Sequence, residues 1–485
     1  MTRAHGAAAV RHGLEESWPA LAFGASATVA DSRPMPAERL RGWLHERLAA
    51  NRFQVDRIPF HEMREWDFDP GTGNLRHASG RFFSVEGLRV RTDYGPVSEW
   101  TQPVINQPEI GILGILVKRI DGVLHCLMSA KMEPGNVNLL QLSPTVQATR
   151  SNYTRVHRGA ATPYLQYFLP GRRRGRILVD VLQSEQGSWF YRKCNRNMVV
   201  EVDADEDVDA GSDYCWLTIG QVLGLMRHDN LVNMDTRTVL ACMPFTPPAT
   251  AAPDGAFRTA LLRSLSGEGA ELGLREVLSW VTEGRTRYRL SAELLPLHAL
   301  DRWHRTESAI SHEQCRFFDV MAVSVNASNR EVAGWTQPLI EPRGNGEVAM
   351  LVKRIGGTLH ALMHLRMEPG FQSGVELAPT VQCQPLSHAG RPAGQQPPLL
   401  DLVRSAAPES VRYDAVLSEE GGRFHHARSR YRIIEVDERT PIPESADFRW
   451  LTVHQLSTLL QHSTYLNVQA RSLVTSLHSL WAGAR

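Results

Sequence analysis

Four stretches of the sequence concentrate side chains that can move protons or hold anions. The run from Gln147 to His157, QATRSNYTRVH, has few residues that favour burial. Tyr153 and His157 can act as acid or base, and Arg155 can clamp a phosphate. Gln147, Ser151 and Asn152 add hydrogen-bonding groups beside them. On an extended chain Tyr153, Arg155 and His157 share one face. A polar surface loop accounts for the same composition. In KMEPGN, Lys131 and Glu133 are two apart on a strand and face one side, just before the Pro134-Gly135 turn. A solvated strand end explains them equally well. In SEQGSWFYRKCNRNM (184–198), Lys193, Asn195 and Arg196 gather the positive charge and amide donors that a diphosphate and a pyrimidine base require. Trp189 and Tyr191 alternate with Phe190 as on a half-exposed strand, and an exposed basic strand is the competing reading. Trp100-Thr101-Gln102-Pro103 offers an indole and an amide, with strand-edge packing slightly favoured over base stacking. Arg119 and Arg237 complete the candidate binding set.

Other chemistries lack their signatures. There is no G-x-G-x-x-G or P-loop glycine pattern, no H-E-x-x-H and no spaced Cys/His set, so no metal site and no cofactor are expected. The six cysteines (126, 194, 215, 242, 315, 383) include no C-x-x-C pair, which suits a reducing cytoplasm. The net charge of +1 gives no argument for nucleic acid or a membrane surface as a partner, and no apolar run reaches the length of a membrane span. The N-terminus has no continuous apolar segment of the signal-peptide kind.

The elements that must position these groups occur twice. LVKRIDGVLHCLMSAKMEPG (116–135) aligns with LVKRIGGTLHALMHLRMEPG (351–370), with 14 of the twenty positions identical at an offset of 235. The same offset relates Trp100-Thr101-Gln102-Pro103 to Trp335-Thr336-Gln337-Pro338, and Arg81-Phe82-Phe83 to Arg316-Phe317-Phe318. Farther on the offset becomes 234: SEQGSWF (184–190) matches SEEGGRF (418–424), Asn233 matches Asn467, and Arg237 matches Arg471. A period this long marks two homologous domains rather than a solenoid. The expected division is a poorly ordered segment 1–35, a first domain 36–245, a linker 246–256 rich in Pro and Ala, and a second domain 257–485. Each half opens with a helix (37–50; 271–282). An apolar hairpin follows, turning in the first half at Asp121-Gly122. Strands are expected at 137–149, 176–185 and 189–202, then a helix capped by Thr218, and a last helix carrying Asp235, Arg237 and Leu240. Strands followed by helices give an α+β class with a mixed sheet.

WTQPVI, GILVKRIDGVLHCLMSAKMEPGN, LSPTVQATRSNYTRVHRG, LVDVLQSEQGSWFYRKCNRNM and NLVNMDTRTVLACM occur in that order, and the chain from about 36 to 485 resembles the NDP-hexose 2,3-dehydratases of deoxysugar pathways. That resemblance implies two tandem Nudix-like domains and a homodimer, although the Gly-x5-Glu-x7-Arg-Glu box with which Nudix hydrolases bind metal is missing. It implies a lyase acting on dTDP-4-keto-6-deoxy-D-glucose without a cofactor, followed by a 3-ketoreductase. Tyr153 or His157 is then the first choice for proton transfer, with Lys131 and Glu133 second. Arg155, Lys193 and Arg196 are assigned to the diphosphate, and Trp100, Gln102 and Asn195 to thymine or sugar hydroxyls. The second half lacks the Ser-Asn-Tyr-Thr-Arg-Val-His run and keeps Trp335, Gln337, Arg354, Gln382, Arg423 and Arg471, which define an expected second, non-catalytic pocket. A Nudix-type nucleotide-sugar hydrolase and a non-catalytic nucleotide-sugar binder are the competing readings.

Overall fold

Two seven-stranded mixed sheets form the body of the molecule, here described from a computed structural model. The structure describes residues 18–482, apart from 155, 157, 158, 172–174, 250, 252, 253, 443 and 444. In the first large sheet the order is Arg176–Ser184, Cys194–Val202, Gly111–Ile120, Val123–Met132, Tyr214–Thr218, and only the 194–202/111–120 pairing is parallel. Leu140–Ser143 and Val146–Ala148 pair with the two central strands. The second large sheet repeats this order with Val411–Ser418, Arg428–Val436, Gly346–Ile355, Thr358–Met367 and Phe448–Thr452. The chain is α+β with two repeated halves.

Local signals in the sequence account for these elements. Asp121 and Gly122 both have positive φ, 50° and 82°, the geometry a two-residue hairpin turn needs to match strand twist. The helices expected at 37–50 and 271–282 run Ala37–Ala50 and Leu274–Arg287, and in the second half the helix Gly255–Ser266 comes first. Thr218 caps Ile219–Leu225 by accepting a bond from the Gln221 amide, while the Gln221 side chain returns to the Thr218 N–H. Asn233 caps Met234–Ala241 in the same role.

Three expectations are revised. Residues 18–27 form a helix with Phe23 and Ala27 fully buried, and Ser26 donates to the Leu124 carbonyl at 2.7 Å, so order extends well before residue 36. Residues 185–193 form a loop rather than the start of a strand, with Trp189 and Phe190 buried and Arg192 at φ 51°. The two halves also interleave instead of standing side by side. Phe53–Ile58 joins a small sheet otherwise built from 303–342, in register from Phe53 opposite Ala327 to Ile58 opposite Ala322. Reciprocally, Leu290–Leu295 joins a small sheet otherwise built from 66–106.

Interleaving is fixed again at the centre. The Pro-Gly turns of KMEPG and RMEPG each zip to a loop of the other half. Gly135 N–H donates to Gly421 O and Gly135 O accepts from His426 N–H, both at 2.8 Å, while Gly370 makes the equivalent bonds with Gly187 and Arg192. A Cβ on Gly135 or Gly370 would lie 1.7 Å from the carbonyl oxygen of Phe424 or Phe190, so only glycine permits the approach. Trp189 and Phe424 meet beside this junction with ring centroids 4.7 Å apart, and one apolar core runs from Phe23 to Ala482 through both halves. Among the described residues no helix is long and apolar enough to cross a membrane.

Candidate active site

The interleaving produces a cavity of about 920 Å³ lined by both halves. Its floor is the end of the first large sheet: Lys131 and Glu133 at the close of the hairpin, Gln147 on the short strand beside it, and Asp235 from the Met234–Ala241 helix. The loop 185–193 contributes Glu185 and Lys193, and the strand Cys194–Val202 contributes Asn195. Arg64, Trp66, His77, Phe82 and Phe83 form an aromatic and cationic wall. The second half closes the space with Arg330, Glu331, Trp335, Gln337, Glu420 and Arg423.

The polar groups are wired together. Asn233 Nδ2 donates to Gln147 Oε1 at 3.2 Å, Gln147 Nε2 donates to Glu133 Oε1 at 2.7 Å, and Lys131 Nζ donates to the Gln147 carbonyl at 3.2 Å. The chain Asn467–Gln382–Glu368 repeats the first two bonds in the other half. There Arg366 replaces Lys131 and clamps Glu368 at 2.7 Å, filling the place with a guanidinium. Burial pushes Lys131 below the usual lysine range, assisted by Arg330 and opposed by Glu133, Glu331 and Asp235. Burial likewise pushes Glu420 up to about 8 and brings Lys193 down to about 8. Asp235 is raised well above an ordinary carboxyl by burial and by the neighbouring Glu185, Glu420 and Glu133. Buried lone pairs on Glu185 Oε2, Asp235 Oδ1 and Glu420 Oε2 have no protein partner. Such a site can donate protons to, and accept them from, a bound polar molecule. Among the described residues no group of three or more His, Cys, Asp or Glu side chains is arranged to hold a metal ion.

Of the residues singled out in the sequence, the structure brings Lys131, Glu133, Gln147, Asn152, Lys193 and Asn195 to this cavity. Trp335, Gln337 and Arg423, assigned to a second pocket, line it as well. The interleaving brings them there: Trp335 and Gln337 lie on a strand of the small sheet that Phe53–Ile58 joins, and Arg423 lies in the loop bonded to Gly135. Ser151 is buried behind the wall: its amide and hydroxyl both donate to the Glu109 carboxylate, and its Oγ accepts from Phe82 N–H. Tyr153 is partly buried and packs against the apolar cluster around Phe168 and Met198. Arg155 and His157 lie outside the described residues.

Others have partners elsewhere. Trp100 and Gln102 form the mirror image of Trp335 and Gln337: each Trp Nε1 donates to its Gln at 2.8 Å, and each Gln Nε2 holds a loop carbonyl, Ser188 or Gly422, at 2.7 Å. Arg119 pairs with Glu201 and lies over Trp18, and Arg196 pairs with Asp180 on the outer strand. Arg237 and Arg471 are fully buried. Their guanidiniums bond Ser418 O and Ser184 O of the opposite halves, so they fasten the two halves and do not reach the cavity. Arg354 pairs with Glu435 beside a smaller cavity of about 470 Å³, and Gln382 lies at the position equivalent to Gln147.

Sequence reasoning did not select Asp235, Glu185, Arg330 or Glu420. The signal lay in the repeat, because Asp235 stands opposite Gln469, and Glu420 opposite Gln186. Glu185 carries no such mark, because the repeat keeps it as Glu419.

The sequence profile of NDP-hexose 2,3-dehydratases matches residues 37–243 and 274–477. The chain is 59% identical over 464 residues, 95% of each chain, to the dTDP-4-dehydro-6-deoxy-α-D-glucopyranose 2,3-dehydratase of Saccharopolyspora spinosa. It is 47% identical to the enzyme of that name from Amycolatopsis orientalis over 95% of this chain and 94% of the relative. For the Streptomyces violaceoruber enzyme the identity is 44% over 90% and 96%. With its site assembled from both repeats and these similarities along nearly its whole length, the chain belongs to the NDP-hexose 2,3-dehydratase family.

Proposed function

We propose that this sugar-nucleotide 2,3-dehydratase removes water from dTDP-4-keto-6-deoxy-D-glucose and releases a dTDP-3,4-diketo-2,6-dideoxyhexose. The observation that carries the reading is the lysine-carboxylate cluster Lys131, Glu133 and Asp235 at the floor of one cavity. The C4 ketone acidifies the hydrogen on C3. Glu133, oriented by Gln147 Nε2, takes that proton, and the charge moves to the C4 oxygen. Lys131 donates a hydrogen bond to that oxygen, where a preorganised donor is worth most. The C2 hydroxyl leaves as water, and the resulting enol becomes the 3-ketone. C3 is oxidised as C2 is reduced, so the reaction balances within the sugar.

Lys193, Asn195 and Arg423 hold the diphosphate side, and the wall of Trp66, Phe82 and Phe83 offers stacking surfaces for thymine. The repeated halves support descent from one duplicated Nudix-like domain. In the same reading the protein works as a cytoplasmic homodimer in deoxysugar biosynthesis for natural-product glycosylation, and a 3-ketoreductase consumes the labile diketone. Incubating the protein with the 4-keto sugar nucleotide and following products by mass is the test. Loss of one water, trapped by the reductase, is expected. Release of dTMP would favour a hydrolase, and tight binding without turnover a binding protein.

A further inference from the structure

Asp235 is 3% exposed, sits in the first turn of the Met234–Ala241 helix and lines the cavity with its Oδ1 unpartnered. Glu420 arrives from the opposite half. Its Oε1 accepts from Gly422 N–H at 3.0 Å, and its buried Oε2 has no protein partner. At both positions the repeat carries an amide instead: Gln469 for Asp235 and Gln186 for Glu420. Glutamine matches glutamic acid in shape and is one methylene longer than aspartic acid; at either position its amide cannot serve as a carboxylic acid that releases a proton. Two independent acid-to-amide differences, converging on one cavity from separate halves, mark a requirement for proton transfer rather than for packing.

Resting on the dehydratase reading above, we propose that Asp235 and Glu420 form the carboxylic acid pair that protonates the departing C2 hydroxyl. Glu133 holds the proton taken from C3, and the C2–O bond breaks as the pair supplies a proton to the oxygen, which leaves as water. The pair then takes the enol O–H proton while Glu133 returns its proton to C2. Both groups regain their starting states, no external oxidant or reductant takes part, and one water is lost. The electrostatics agree: burial, together with Glu133 and Glu185, favours the neutral form of both acids, against Lys131 beside Asp235 and Arg423 beside Glu420.

The test is Asp235→Asn and Glu420→Gln, assayed in D₂O. Because the fold already carries amides at the equivalent positions, both variants are expected to fold and to bind dTDP. Each should still exchange the C3 hydrogen of recovered substrate for deuterium while dehydration falls by about 100-fold or more. Asp235→Glu and Glu420→Asp, which restore a proton donor, should retain more dehydration than the amides. Undiminished dehydration in both amide variants would overturn the proposal, as would loss of exchange and dehydration together in variants that bind dTDP. Acidic variants no better than the amides would overturn it as well. If the wild-type protein neither exchanges C3 nor releases water, the reaction assignment itself is at fault, an outcome distinct from failure of the acid pair alone.

Discussion

Gly135→Ala tests the claim that the site depends on the two halves locking together. The added methyl carbon would lie 1.7 Å from Phe424 O and 2.7 Å from Gly421 O. A carbon–oxygen contact is ordinarily no closer than about 3.3 Å, so the loop bearing Glu420 and Arg423 must retreat by more than about 1 Å. The bonds from Gly135 N–H to Gly421 O and from His426 N–H to Gly135 O then fail. At about 1 kcal/mol per bond and about 1–3 kcal/mol for overpacking, the folded state loses roughly 3–5 kcal/mol. A displacement of that size in the catalytic wall costs about 100-fold in turnover even where the protein stays folded. The assays are the denaturant midpoint and the rate of water loss, measured below the unfolding transition. Gly42→Ala is the control: its Cβ meets nothing within 4 Å, and alanine inside the Ala37–Ala50 helix should stabilise by about 1 kcal/mol. If Gly135→Ala keeps both its midpoint and its turnover, the packing argument for a composite site is refuted.

Lys131→Met should lower the dehydration rate by about 10²–10³-fold while dTDP binding persists, as expected for a lost donor to the C4 oxygen; equal loss of nucleotide affinity would move Lys131 to the binding site. Tyr153→Phe should leave turnover close to wild type, because Tyr153 packs against the Phe168 cluster; a collapse in rate would return the base to the 150–157 segment. Glu376 is fully buried at the junction of the halves, bonded by Ser184 Oγ at 2.5 Å, and burial raises it from 4.5 to about 8. Between those values the folded state binds the proton that the unfolded chain has released, so Glu376 subtracts stability progressively as pH rises from about 4.5 to about 8. Glu376→Gln should therefore gain in melting temperature relative to wild type over that window; a pH-independent difference would contradict the assignment.

Much of the fold is legible in the sequence where the physics is local. The Asp121-Gly122 turn and the Thr218 cap each depend on a few neighbouring residues, and the repeat shows directly as matching stretches. The exchange of Phe53–Ile58 and Leu290–Leu295 between small sheets is not legible, because strand register across more than 190 residues leaves no local mark. The candidate site divides along the same line. Lys131 and Glu133 are readable from strand alternation. Arg237 looks like a ligand for anions in sequence, yet the structure shows a buried clamp that ties helix Met234–Ala241 to Ser472 and Ser418. Asp235 resembles an ordinary acid near a helix N-terminus, where negative charge is favoured in any protein. Its chemistry emerges only when the helix is seen inside a cavity and Gln469 in its twin.

The most direct test of the account is a substrate carrying heavy oxygen at C2 and deuterium at C3. Catalytic turnover by the wild-type protein should release the heavy oxygen as water and remove the deuterium from C3, leaving the dTDP group in place. A product that keeps the heavy oxygen at C2 and the deuterium at C3 would contradict it.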